Sequence, residues 1–72
     1  MTSNDVVKLI IEREELSITD VSRKMGHERA YLNTRLARGN PKTSTLATFC
    51  EVVGYELVVR SKDDGFEFVI DE

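Results

Sequence analysis

One cysteine, one proline and one histidine stand among 72 residues, and each shortage removes a class of explanation. A single cysteine, Cys50, cannot close an internal disulfide, and a single histidine, His27, leaves no second imidazole or thiol for a metal centre. The glycines are not spaced as a phosphate-cradling loop, and no serine, histidine and acid follow in an order that supports a nucleophilic triad. No apolar run approaches the roughly 20 residues a membrane helix needs. With no secretory leader either, the chain is expected to be soluble and cytoplasmic, without a membrane partner. A large catalytic cleft does not suit so short a chain. An enzyme is the poorest class, no cofactor is implied, and a binding protein is expected.

Net charge is −3, which by itself argues against a nucleic-acid partner. The charge is unevenly divided, however. Residues 1–42 hold eight cations against six anions (+2), whereas residues 43–72 hold two against seven (−5). Between Arg23 and Lys42 six cations face only Glu28. Attraction to a polyanion depends on the local patch, because the Debye length is about 8 Å at physiological salt. The chain thus has a basic middle and an acidic tail, and the tail is expected to weaken non-specific binding to a nucleic acid.

The stretch LSITDVSRKMGHERAYLNTRLARG, residues 16–39, reads as two short helices joined by a tight turn at Gly26. Ser17, with Asp20 three residues on, starts a helix from about Thr19 to Met25. A second helix is predicted from about Glu28 to Arg38. Ile18, Val21, Met25, Leu32 and Leu36 supply the buried face, leaving Arg23, Lys24, Arg29, Asn33, Arg35 and Arg38 outside. A first helix, capped from within Ser3-Asn4-Asp5, runs to about Glu15 with Val6, Leu9 or Ile10, and Leu16 inward and Glu12, Glu14 and Glu15 in solvent. A fourth begins near Thr43 or Ser44, after Pro41, and ends at Gly54. Its inner face carries Leu46, Phe49, Cys50 and Val53, so Cys50 is expected to be a small buried hydrophobe.

After Gly54 the period becomes alternating. Tyr55–Arg60 and Phe66–Asp71 read as strands of a hairpin with Asp64-Gly65 as the turn signal. A two-residue turn puts Leu57 and Val59 on one face with Phe66, Phe68 and Ile70, and Val58 and Val69 on the other with Glu56, Arg60 and Glu67. An isolated hairpin is marginal in water. It must cover the helices, pair with a second chain, or do both with its two faces. Residues Leu57, Val58, Val59, Phe66, Phe68, Val69 and Ile70 are the candidate dimer interface.

Several residues together carry a family resemblance: Thr19-Asp20-Val21, Lys24-Met25-Gly26, the run Arg29 to Leu36, Arg38-Gly39-Asn40-Pro41 and Thr45-Leu46. In this order and spacing they resemble the DNA-binding core of the Cro and phage-repressor superfamily, the XRE-type helix-turn-helix regulators. The resemblance spans roughly residues 4–54. Where the family commonly has Ser or Thr as cap of the recognition helix, this chain has His27-Glu28. The fold implied is mainly α, a repressor-like helix-turn-helix core of four to five helices (1–54) followed by the β-hairpin extension (55–72).

The function implied is a sequence-specific transcriptional regulator, a repressor, that binds double-stranded DNA as a homodimer. The start of the third helix would enter the major groove, with Arg29, Ala30 and Asn33 at base edges and His27, Glu28 and Tyr31 near the rim. Ser17, Lys24, Arg35, Arg38, Asn40 and Lys42 are the phosphate candidates. The competing expectation is an antitoxin-like or adaptor module whose acidic hairpin engages a toxin-like or other protein partner, with or without autoregulatory DNA binding.

Overall fold

The computed structural model describes residues 1–71. Among these, four helices precede an antiparallel hairpin: α1 (Ser3–Arg13), α2 (Ile18–Lys24), α3 (Tyr31–Ala37), α4 (Thr43–Val53), β1 (Leu57–Arg60) and β2 (Glu67–Ile70). The chain is mainly α with a C-terminal β-hairpin, as its change of period predicts. No helix among the described residues is long and apolar enough to cross a membrane.

The first helix starts one residue before the expected caps. Thr2 Oγ1 accepts from the Asp5 N–H at 3.1 Å, and the Thr2 N–H donates back to Asp5 Oδ2 at 3.1 Å, a reciprocal capping box. The arrangement holds the Asp5 carboxyl below its ordinary pKa of 3.8, chiefly through the hydrogen bonds with Thr2. The turn of α1 buried most deeply carries Val7, while Leu9, expected as one inward alternative, is exposed; Val6, Ile10, Ile11 and Leu16 are half-buried. The 3.6-residue period allows several overlapping stripes in the run VVKLII, and the angle at which α1 meets α4 selects among them.

The end of α1 closes with Leu16 N–H donating to Ile11 O and Glu15 N–H to Glu12 O. That pair of bonds requires a left-handed residue between helix and exit, usually glycine. Here the position is Glu15, with φ 53°, the only non-glycine residue at positive φ among those described. At the end of α2 the same bonds recur, from His27 to Ser22 O and from Gly26 to Arg23 O, and Gly26 takes φ 85°.

Val7, Val21, Met25, Leu32, Leu36, Phe49 and Cys50 form one core. Cys50 is buried, and desolvation pushes its thiol above the ordinary value. Tyr55 ties the end of α1 to the segment after α4. Arg13 Nη1 donates to its hydroxyl at 2.6 Å, and that hydroxyl donates to Glu14 Oε2 at 2.8 Å.

The hairpin pairs Leu57 with Ile70, Val58 with Val69, Val59 with Phe68 and Arg60 with Glu67. Its connection is longer than the two-residue turn predicted from Asp64-Gly65. Ser61 N–H donates to Phe66 O at 2.8 Å, Gly65 N–H to Ser61 O at 3.0 Å, and Phe66 N–H to Asp64 Oδ1 at 3.0 Å, leaving residues 62–65 as the loop. The register therefore differs from the expected one by two positions. Because side chains alternate with period two, an even shift preserves the faces. Leu57, Val59, Phe68 and Ile70 do share one side. Only its base reaches the helices: Leu57 packs against the core, whereas Phe66 is 61% and Phe68 67% exposed.

Candidate nucleic-acid interface

The third helix is shorter than its pattern suggests. It begins at Tyr31 and not at Glu28, and Ala30 at its N-cap makes no side-chain capping bond. Residues 27–30 form the turn, closed by Tyr31 N–H donating to Glu28 O at 3.1 Å. Glu28, where the pattern starts the helix, thus precedes it by three residues, and the first turn of α3 holds no acidic residue. His27, Glu28, Arg29 and Ala30 are exposed turn residues, while Asn33, in the first turn of α3, is exposed on the helix itself. The five base-contacting candidates therefore fall on one continuous segment, but only Asn33 projects from regular helix.

The cap missing from α3 comes from the neighbouring helix. Ser22, with no exposed surface, accepts the Leu32 N–H at 3.1 Å and donates to Ile18 O at 3.0 Å. Leu32 lies in the first turn of α3, where backbone donors have no helical partner. One buried hydroxyl therefore satisfies the helix start and joins α2 to α3. Its signal in the sequence is a serine on the stripe that also carries Ile18, Val21 and Met25.

Aromatic contacts stiffen the turn. The His27 and Tyr31 rings stack with centroids 3.6 Å apart and planes 6° from parallel. The Arg35 guanidinium lies 5.3 Å from the Tyr31 ring centroid, within cation–π range. This ladder fixes His27 at the start of the turn and holds Arg35 along α3, so Arg35 has a defined direction.

Of the phosphate candidates, Lys24, Arg35, Arg38, Asn40 and Lys42 are all exposed. No ion pair among the described residues involves any of the six cations from Arg23 to Lys42; the pairs present are Arg13–Glu14 and Arg60–Glu67. Unpaired cations retain their full attraction for an external polyanion. Ser17 is occupied as the cap of α2, accepting from the Asp20 N–H at 3.3 Å; the reciprocal half of a capping box is not formed. Ser17 also borders a depression with Glu15, Asp20, Arg23 and Lys24, so it sits beside two carboxylates as well as two cations.

The hairpin forms a second surface. Its unsupported face continues from Leu57 through Val59 to Phe68 and Phe66, whose rings meet edge to face at 5.1 Å. An apolar groove of about 360 Å³ runs beside its base, lined by Met1, Val6, Leu9, Ile10 and Leu46 together with Leu57. No three His, Cys, Asp or Glu side chains converge as a metal-binding group among the described residues. Comparisons with protein-family models, curated proteins and solved structures find no match to this chain.

Proposed function

We propose that the protein is a cytoplasmic, non-enzymatic DNA-binding regulator of the XRE type, acting as a homodimeric repressor. In this reading α2, the turn and α3 work as a helix-turn-helix. The observation that carries it is the run of six unpaired, exposed cations around a short helix pair whose mutual position is fixed by Ser22. A rigid pair presenting such charge suits the grooved, polyanionic surface of duplex DNA.

Asn33 and the turn residues His27, Glu28, Arg29 and Ala30 would meet base edges. Arginine can pair bidentately with guanine and asparagine with adenine, and the alanine methyl can meet thymine. Lys24, Arg35, Arg38, Asn40 and Lys42 would hold phosphates, with Ser17 at the margin. Two such modules give more discrimination than one. The apolar hairpin face, with Leu57, Val59, Phe66, Phe68 and Ile70 on one side and Val58 and Val69 on the other, would join two copies.

The test is selection of bound duplexes from a random library at two salt concentrations, with the mass of the complex measured in parallel. An enriched site with two half-sites about one helical turn apart, bound by two chains, supports the regulator. Absence of enrichment and of salt dependence removes it. A second reading, the antitoxin-like or adaptor module, is favoured by one observation: the apolar hairpin face lies in the half of the chain whose net charge is −5. Co-purification with a basic polypeptide that Phe68→Ser abolishes would support that reading.

A further inference from the structure

Two asparagines cap each other's elements across the fold. Asn4 lies in the first turn of α1, and its Nδ2 donates to Leu36 O at 2.7 Å and to Gly39 O at 3.2 Å. It thereby gathers carbonyls from the end of α3 and the bend that follows. In return the backbone N–H of Asn4, one of the donors that a helix start leaves free, donates to Asn40 Oδ1 at 3.1 Å.

Of the two ends of a carboxamide only the oxygen accepts from an N–H, so this bond dictates the facing of the Asn40 amide. Its oxygen is held by α1, and its Nδ2, on an exposed residue, donates to nothing among the described residues. The same logic orients Asn4, whose two carbonyl partners require the nitrogen. Its own Oδ1 is then left buried without a partner. A buried acceptor without a partner is unfavourable, so it is the two donated bonds that maintain this geometry.

We infer that Asn4 is a positioning residue for anion contact: by pinning the α3–α4 connection and orienting Asn40, it makes Asn40 offer donors and no acceptor to a phosphate oxygen between Arg38 and Lys42. This rests on the DNA reading above.

The experiment compares Asn40→Asp, Asn40→Ala, Asn4→Ala and the Asn4→Ala/Asn40→Ala pair. Thermal melting, exchange of the Asn4 amide proton, and affinity for the selected duplex and a random duplex are measured for each. Asn40→Asp keeps an acceptor for the Asn4 N–H near the positive end of α1, so it melts at or above the wild-type temperature and keeps the amide protected. Having no donor and adding a negative charge beside the phosphates, it binds both duplexes about tenfold more weakly, so the part due to the amide's facing is read from Asn40→Ala in the two backgrounds. Asn40→Ala also weakens both duplexes, but in the Asn4→Ala background the same change has an effect below about twofold, because the two residues act as a unit.

Binding by Asn40→Asp within about twofold of wild type overturns the inference, as does an Asn40→Ala effect of equal size in both backgrounds. If Asn4→Ala does not fold, Asn40→Asp and the amide exchange decide alone. A wild-type protein that binds no duplex overturns the DNA reading and this role together. A wild-type protein that binds, with Asn40→Asp unaffected, overturns this role alone.

Discussion

Replacing Ser22 by alanine isolates the link that sets α2 against α3. The substitution removes the acceptor for the Leu32 N–H at 3.1 Å and the donor to Ile18 O at 3.0 Å. The Ile18 carbonyl remains within a helical ladder, so its loss is small. Leu32 is wholly buried, and its N–H would have no other partner. An orphaned buried donor costs about 1–3 kcal/mol. Alanine returns part of that, roughly 0.5 kcal/mol, as the better helix former. The expected net destabilisation is about 0.5–2.5 kcal/mol, or about 3–16 °C in melting temperature for a domain of this size.

Urea and thermal unfolding followed by circular dichroism measure it. Thr48→Ala serves as the control, since the Thr48 hydroxyl donates to Ser44 O at 3.1 Å but accepts no helix-start donor. That change should stay within about 0.5 kcal/mol. A Ser22→Ala protein as stable as its Thr48→Ala counterpart would refute the reasoning.

At Glu15, held at φ 53°, glycine relieves left-handed strain against a more flexible unfolded chain. Glu15→Gly is expected to raise stability by about 0.5–1 kcal/mol in urea titrations. Arg29→Ala should cost about 1–3 kcal/mol of binding mainly on the selected duplex, whereas Lys42→Ala should weaken all duplexes alike and reduce the salt slope by about 1; both are read from affinities at several salt concentrations. Phe68→Ser, at a side chain 67% exposed, should leave the unfolding of the single chain within about 0.5 kcal/mol and convert a dimer to monomers in sedimentation equilibrium. The Asp5 carboxyl is depressed below 3.8 by its bonds with Thr2, so its contribution is complete above pH 3.8 and is lost as pH falls through the lower folded value. Thr2→Ala should accordingly flatten the loss of stability below pH 4 in acid titrations.

Much of the architecture was legible from periodicity and punctuation. Ser17, Gly26 and Gly54 mark their helix ends, and α4 occupies the span set by Pro41 and Gly54. The strand faces were readable although the turn was not, because a register change of two leaves alternation intact. The start of α3 lies three residues beyond where its pattern puts it. Nothing in His27-Glu28-Arg29-Ala30 forbids helix locally, and the true start depends on a hydroxyl ten residues upstream of Leu32. The Asn4 contacts span 32 to 36 residues, a range at which spacing along one element says nothing. Val7 and not Leu9 faces the core for a similar reason: the stripe chosen from VVKLII is set by what α1 meets.

The hairpin touches the remainder mainly through Leu57 and the Tyr55 tie, while the Ser22 and Asn4 links lie wholly within the helices. Substitutions at Val59, Phe66 or Phe68 share no partner with substitutions at Asn33 or Arg38, so their effects on folding stability should add independently. In the proposed dimer, a change on the hairpin would leave the helical surface as it is, and a change on the helical surface would leave the hairpin face as it is. The helices and the hairpin are thus two parts of one small chain, joined where Tyr55 and Leu57 meet the core.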